Sequence, residues 1–411
     1  MEPSKGTIVR RVTSFFTLSL IWTASINVLP QLYLLTYAPD RKSLALSIIL
    51  FVGTMGSILG VSFSQWRQRH SHTLTRQKLC SLTLCYLGFL LLVVFEVSYL
   101  SLYILAFLVF RFTSNWLFNH LDHTLLRAAG SEGTHTHASA MTGFQLTGRT
   151  LGPVVFVFLA GQPLLLSILL LVLCCASTVV VLDALPSNPP TTSSILSNQG
   201  DDPKTELVET SQKFSSQAIL FLLYSLLVNV SIIGFFTQFI YLLRDYIQIG
   251  NPAQTGGILI TLTGAVSIVT VFVSLRFQTQ TLSLWSLMWP PIVVGVALSW
   301  LAIRPSLPEL YMASFLAGVG GGRFYLLTRL MASSWDLPPG RETVLSFYNN
   351  IGNYASLVAY VVLGILAFFL EASPHMYHIG LFGTLLSLLA LALILMGFGY
   401  KTSTSTPIQR T

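Results

Sequence analysis

The sequence predicts an all-α membrane protein with twelve transmembrane helices in two six-helix bundles. Charged residues make up 9% of the 411 residues and hydrophobic residues 53%, whereas soluble domains contain about 25% charged residues. The charges also leave seven uncharged stretches of 24 to 30 residues: 12–39, 43–66, 214–243, 246–275, 277–303, 343–370 and 372–400. Because a helix needs about 20 apolar residues to cross the hydrocarbon core, each stretch can hold one span.

The apolar pattern places six spans on each side of a polar segment. The predicted spans are 12–37, 43–65, 79–96, 98–121, 138–160, 163–183, 216–243, 255–275, 282–303, 309–331, 343–370 and 375–400. The segment 184–214 contains four prolines, a Ser/Thr run and Asp201-Asp202, a composition typical of a flexible linker. We therefore predict an N-terminal bundle over 1–183, a cytoplasmic linker over 184–214 and a C-terminal bundle over 215–411.

The basic residues predict the orientation in the membrane. With a cytoplasmic N-terminus, fifteen Lys and Arg residues fall on the inside and four on the outside, which satisfies the positive-inside rule. This predicts that both termini and the linker are cytoplasmic and that the protein is multi-pass in the plasma (inner) membrane. The net charge of +7 is divided among the loops, so it does not form a nucleic-acid-binding patch. The four cysteines lie in apolar runs, which argues against a zinc site.

Three of the 22 basic residues lie within spans: Arg111, Arg149 and Arg323. A guanidinium in the membrane normally faces a bundle interior or a watery cavity. Every acidic residue lies in a loop, in the linker or near a helix end. Positive charge at this depth without negative charge favours an anionic ligand, and the alternative is a purely structural role.

Polar side chains concentrate on particular spans. Ser19, Thr23, Asn27 and Gln31 follow one another at four-residue spacing, which places them on one helix face. Spans three, six, nine and twelve contain no interior charge or amide. This segregation predicts a central cavity with these four helices outside it. The predicted substrate-binding residues are Asn27, Gln31, Arg111, Asn115, Gln145, Arg149, Gln238, Arg323, Asn349, Asn350 and Asn353.

A weak internal repeat supports two related halves. Arg111-Phe112 in span four corresponds to Arg323-Phe324 in span ten, and Gly148-Arg149 in span five corresponds to Gly352-Asn353 in span eleven. In the first half, Arg111 and Gly148 are 37 residues apart, whereas in the second half Arg323 and Gly352 are 29 residues apart. We assign the eight extra residues to a longer loop that contains Glu132 to His137. Repeated halves of this kind are typical of transporters that rock about a central site.

The sequence resembles the major facilitator superfamily over nearly its whole length. Gly143, Gly148, Gly152 and Pro153 are similar to that family's antiporter motif, and Val109 to Phe112 to its membrane arginine motif. The resemblance implies a secondary transporter that works by alternating access, as a monomer in the bilayer, on a small polar, anionic organic molecule. The partial antiporter motif favours export in exchange for protons, with Asp122, His120 and Arg111 in the proton-coupling role.

The alternatives are an uptake symporter, a non-transporting receptor or scaffold, and a membrane-embedded enzyme. The enzyme would need paired acids or a nucleophile and base near the interface, and none is evident, so we expect no enzyme, no cofactor and no metal site. His120, His123, His135 and His137 have partial metal-like spacing beside Asp122. With no cysteine nearby they are expected to be loop residues, and a His–Asp proton relay is the next alternative, ahead of a metal site. The glycines at 318, 320, 321 and 322 follow no strand and precede no lysine, which favours close helix packing over a phosphate loop.

Overall fold

The computed structural model is helical wherever it has regular secondary structure among the residues it describes. These residues are 14, 16–22, 29–37, 42–69, 76–94, 98–159, 164–165, 168–169, 172–173, 175–176, 179, 216–237, 243–244, 247–277, 284–303, 306–335, 343–369 and 376–398. No strand occurs among them. The predicted all-α class is therefore confirmed.

Ten helices with defined bounds follow the segment 16–22 among the described residues. They are α1 (Leu29–Tyr37), α2 (Lys42–Arg69), α3 (Arg76–Val94), α4 (Leu100–Leu159), α5 (Ser216–Thr237), α6 (Pro252–Phe277), α7 (Leu284–Ile303), α8 (Leu307–Trp335), α9 (Thr343–Phe369) and α10 (Met376–Phe398). The bounds of α2, α3 and α6 to α10 agree with the predicted spans to within four residues. The start of α6 follows helix-capping rules, since Asn251 Oδ1 accepts a hydrogen bond from the Gln254 amide at 3.2 Å and Pro252 occupies the first helical position.

The predicted loop between spans four and five was wrong, because α4 is helical throughout Leu100–Leu159. Its side chains nevertheless show that the chain reverses within it. Arg111 lies over the ring of Trp22, and Gly148 packs against Phe16 and Ser19. In a straight helix, the two α4 residues would be about 55 Å apart, whereas the segment 16–22 is only about 10 Å long. The element therefore contains two crossings, joined by helical turns.

Several of these helices are long and apolar enough to cross a membrane. Within the described residues, length and composition identify five such stretches: Lys42–Arg67, Leu100–His120, Pro252–Ser274, Trp285–Ile303 and Asn350–Phe369. Three shorter apolar helices accompany them: Ser81–Leu90, Ile219–Gly234 and Leu381–Leu395.

The buried apolar residues form two main clusters. One surrounds Tyr33, Tyr103 and Phe107 and includes Tyr360 from α9, and the other surrounds Tyr224 and joins α5, α6, α7, α8, α9 and α10. Helices from the two sides of the predicted linker meet mainly where α2 packs on α9 and where α4 packs on α6. The main contacts of α3 are with α4, and those of α7 and α10 are with each other, α5 and α8.

Glycines allow the helix pairs α2–α4 and α6–α8 to approach closely. A Cβ atom added at Gly56 or Gly60 would overlap the backbone of α4, and one at Gly322 would lie 2.5 to 3.0 Å from the backbone of Ser267 on α6. At the second interface, the hydroxyl of Thr263 donates to the carbonyl of Ser314 at 3.1 Å and that of Ser267 to the carbonyl of Gly318 at 2.9 Å. The glycine run in span ten is therefore a packing surface, as predicted.

A proline pair in α7 requires a hydrogen bond from another helix. Pro290 and Pro291 have no amide hydrogen, so the carbonyl of Leu287 loses both donors that a helix could offer, three and four residues ahead. The hydroxyl of Tyr224 on α5 donates to this carbonyl at 2.9 Å. In hydrocarbon an unsatisfied carbonyl is costly, so Tyr224 stabilises the proline-containing part of α7.

We predict that Tyr224→Phe destabilises the protein by about 1–3 kcal/mol, since it leaves a buried carbonyl without a donor. Thermal unfolding of the purified protein in detergent measures this effect. Tyr311→Phe is the matched control, because Tyr311 is half-buried in the same cluster. Equal melting temperatures for the two variants would contradict the role of Tyr224.

We predict that Gly322→Ala lowers stability by about 1–3 kcal/mol, because the added methyl group must displace the backbone of α6. Gly321→Ala is the control. Its Cβ would meet only Ile232 Cδ1, at 3.8 Å, so it should keep or slightly raise the melting temperature. A similar change in both variants would show that close α6–α8 contact does not limit stability.

Candidate substrate site around Arg111

Arg111 lies on α4, with 3% of its surface exposed. Its aliphatic stem passes α2 at Gly53, where an added Cβ would be 3.3 Å from Arg111 Cγ and would overlap the ring of Phe107. The absence of a side chain at residue 53 therefore makes room for both Arg111 and Phe107. These contacts fix the stem of the arginine against α2.

The guanidinium of Arg111 has an aromatic neighbour. Its central carbon lies 5.4 Å from the ring centroid of Trp22, a distance typical of a cation–π contact. Tyr360 on α9 belongs to the buried cluster that also contains Phe107 and Phe110, the neighbours of Arg111 on α4. The site thus combines a residue of span one, a residue of span four and a residue that follows the predicted linker.

Among the described groups, part of the hydrogen-bonding capacity of Arg111 finds no acceptor. Nη1 is buried, and none of the groups that the structure describes accepts a hydrogen bond from it. Glu309, at the start of α8, is the one acidic side chain among those described. Asp122 is eleven residues further along α4, about 16 Å in helical rise. A guanidinium inside a membrane costs at least about 2.5–3.5 kcal/mol, so an anionic oxygen at Nη1 would relieve a real penalty.

Two asparagines continue the polar face of α4 beyond Arg111. The amide nitrogen of Asn115 donates to the Arg111 carbonyl at 2.9 Å and to the Ser57 hydroxyl at 3.1 Å. This leaves only its amide oxygen for a ligand. Asn119 is 3% exposed, and within the described part of the chain neither its oxygen nor its nitrogen has a hydrogen-bond partner. Asn119 is therefore the freer of the two to bind water or a polar ligand.

The corresponding region after the linker is also polar. Arg323 is half-buried on α8, and two residues later the Tyr325 hydroxyl lies 3.5 Å from Asn229 Oδ1 on α5. On α9, Asn353 donates to Asn350 at 3.3 Å, and both side chains are buried. No described interaction joins these groups to Arg111.

Comparison with known proteins identifies the fold. No protein-family model matches the chain, and no curated protein matches its sequence. Solved structures do match it. One is a bacterial homolog of the human lysosomal transporter Spinster, in an inward-facing and occupied conformation, with 11% identity, a TM-score of 0.69 and 100% coverage of both chains. Another is the nucleoside transporter NupG, with 12% identity, a TM-score of 0.65 and coverage of 96% of this chain and 99% of that chain.

The human organic anion transporter MFSD10 is also similar, with 15% identity, a TM-score of 0.64 and coverage of 95% of this chain and 100% of its own. The chain has the major facilitator fold. The expected resemblance and the twelve-helix class are thereby confirmed, since the matches span both halves of the chain.

Within the major facilitator fold, the predicted site residues fall into three groups. Arg111, Asn115, Asn350 and Asn353 are buried, and Arg323 and His120 are half-buried. Gln31 is buried too, but it is two residues from Tyr33, whose ring stacks on Tyr103 at 3.7 Å. Tyr103 precedes Arg111 by eight residues, about 12 Å along the helix axis, so the region of span one that contains Gln31 and Tyr33 is displaced from Arg111 toward the start of α4. The remaining residues are outside the described part: Asn27 and Gln238 entirely, and Asp122, Gln145, Arg149 and Asn349 in their side chains.

The sequence-based prediction of the site omitted two aromatic residues near Arg111, Trp22 and Tyr360. Trp22 is three residues after Ser19 and so continues the polar face of span one, which was a usable signal. Tyr360 carries no such signal, because it lies in the apolar part of span eleven. Among the described residues no cluster of three His, Cys, Asp or Glu side chains could hold a metal ion, and the side chains of His123, His135 and His137 lie outside that part.

Proposed function

We propose that the chain is a secondary transporter that moves a small anionic organic molecule across the membrane by alternating access. The observation that carries this proposal is the buried guanidinium of Arg111, whose Nη1 donor has no acceptor among the described groups. A fixed positive charge with a free N–H donor is suited to a carboxylate or phosphate. Similarity to transporters of nucleosides and of organic anions supports transport, whereas the charge of the substrate rests on Arg111.

The two sides of the proposed site belong to different halves. Arg111 and Trp22 precede the predicted linker, and Tyr360 follows it. An anion bound to Arg111 Nη1 would therefore lie near groups that move relative to each other when the halves rock. We propose the two bundles, 1–183 and 215–411, as the moving bodies, and the linker 184–214 and both termini as cytoplasmic.

We further propose that export of the anion is coupled to protons in the opposite direction, in a plasma (inner) membrane. The coupling residues would be Asp122 and His120, with the face from Arg111 through Asn115 to Asn119 as the route. The partial antiporter motif supports this proposal, as does the amide of Asn119, which has no hydrogen-bond partner among the described residues. The second candidate is proton-coupled uptake of an anion through the same site, since the Arg111 geometry favours neither direction.

We predict that Arg111→Ala weakens binding of an anionic substrate by about 1.5–3 kcal/mol, the scale of a hydrogen bond to a charged group. Arg111→Lys should recover only part of this loss, because lysine keeps the charge but not the two-pronged geometry. Thermal shift of the purified protein against benzoate, malate, citrate and choline measures binding and stability together. Arg323→Ala should behave likewise if the repeat is functional.

Arg67→Ala is the control for Arg111→Ala. Arg67 also lies over a tryptophan, with its guanidinium carbon 5.8 Å from the ring of Trp116, but at the end of a span. It should leave anion binding unchanged. If the role of Arg111 is purely structural, Arg111→Ala should instead lower the melting temperature without changing the affinity of the folded protein for any of the three anions.

We predict that Asp122→Asn abolishes flux driven by a pH gradient in proteoliposomes, while counterflow of the bound anion persists. Neutral asparagine cannot carry a proton between the two sides, but it leaves the anion site intact. Asp201→Asn, in the predicted linker, is the matched control. Undiminished gradient-driven flux in Asp122→Asn would reject the coupling role and leave the anion site untouched.

A further inference from the structure

We propose that Trp22 is the positioning partner of Arg111 in the unloaded site, where its ring orients and stabilises the guanidinium in the absence of an anion. This inference rests on the proposed function, since it describes the empty state of the same site. It adds a positioning residue that the sequence motifs do not include.

The charge and the ring are within interaction distance. The guanidinium carbon is 5.4 Å from the Trp22 centroid, inside the limit of about 6 Å for cation–π attraction. Tryptophan offers the most favourable ring, and the attraction grows when the pair is removed from water. Arg111 is 3% exposed, so this pair is desolvated.

The packing around Arg111 leaves Trp22 to determine where the guanidinium lies. On the α2 side, the stem of the arginine is confined by Gly53 and Phe107. No carboxylate among the described side chains offers an ion pair, and the nearest acid on the same helix, Asp122, is eleven residues away. A guanidinium over an aromatic face can still donate its N–H groups to an anion. In this proposal the anion therefore adds to the cation–π contact and does not replace it.

A second arginine–tryptophan pair provides an internal comparison. Arg67 lies over Trp116 at 5.8 Å, and Arg67 is the last residue of its apolar span. Water competes for the guanidinium there, so the attraction should be weaker than at Arg111. Both pairs place an arginine over a tryptophan, but Arg111 lies within its span and Arg67 lies at the end of its span.

This role has a consequence for transport. A carrier that returns empty must close around Arg111 with no anion present, and Trp22 is then the group that stabilises the guanidinium. During exchange of one anion for another, by contrast, an anion is bound each time the carrier closes. Loss of the ring should therefore slow net flux far more than exchange.

The first test needs no substrate. Unfolding rates of the full-length protein in detergent are measured for Trp22→Leu, Arg111→Met and the double variant. We expect Trp22→Leu to accelerate unfolding about tenfold more when Arg111 is present than in the Arg111→Met background, the scale of a desolvated cation–π contact. Trp22→Phe should retain part of the coupling and Trp22→Met none, although both preserve apolar bulk. The same cycle on Trp116 and Arg67 should give a coupling of about twofold or less.

The second test separates net flux from exchange in proteoliposomes, using whichever of benzoate, malate and citrate shows Arg111-dependent binding. In Trp22→Leu we expect net efflux to fall about tenfold, while exchange and anion affinity are preserved. Trp300→Leu, on the exposed face of α7, should leave both fluxes unchanged.

The two tests distinguish the inference from the function on which it rests. Equal unfolding effects of Trp22→Leu with and without Arg111, or an equal loss of net flux and exchange, would overturn the role of Trp22. If none of the three anions depends on Arg111, the proposed function fails for them. In that case the unfolding cycle still decides whether Trp22 positions the arginine.

Discussion

A positive charge held inside a membrane bundle is the constraint around which this structure is organised. Hydrocarbon offers no water to solvate Arg111, so its surroundings must do so. Gly53 on α2 gives the stem its space, Trp22 gives the cation a polarisable face, and α9 contributes Tyr360 to the buried cluster beside it. Three parts of the chain that are distant in sequence are therefore arranged about one guanidinium.

Small residues determine how closely the remaining helices approach. Within the chain segments on either side of the predicted linker, glycines of α2 face α4 and glycines of α8 face α6. Across the two segments, Gly264 on α6 faces Thr150 and Gly364 on α9 faces Ser47. Without a hydrophobic drive between helices in lipid, such close contact is a main source of stability. Interfaces of small side chains are also smooth, which suits helix surfaces that must slide past one another.

The sequence predicts the helices better than the contacts between them. Apolar length alone places the spans, since the bilayer sets a minimum, and the isolation of Arg111 from acids is visible without coordinates. The pairing of Tyr224 with the Leu287 carbonyl joins residues 63 apart, and only the relative rotation of two helices decides it. The same holds for Trp22 over Arg111. The polar face of α4 was predictable, but the hydrogen bond from Asn115 to Ser57, a residue of another helix, was not.

The internal sequence repeat is weak for a physical reason, which the positions of the packing glycines illustrate. In the first segment the glycines that bring two helices together lie on α2, whereas in the second they lie on α8, the partner that corresponds to α4. Either helix of a pair can supply the missing side chains, because close approach depends on the sum of the two surfaces. A repeat of this kind can therefore persist in the pairing of helices while the two sequences diverge. Charged residues have less freedom, since a guanidinium needs its own surroundings, and this is why Arg111 and Arg323 remain its clearest trace.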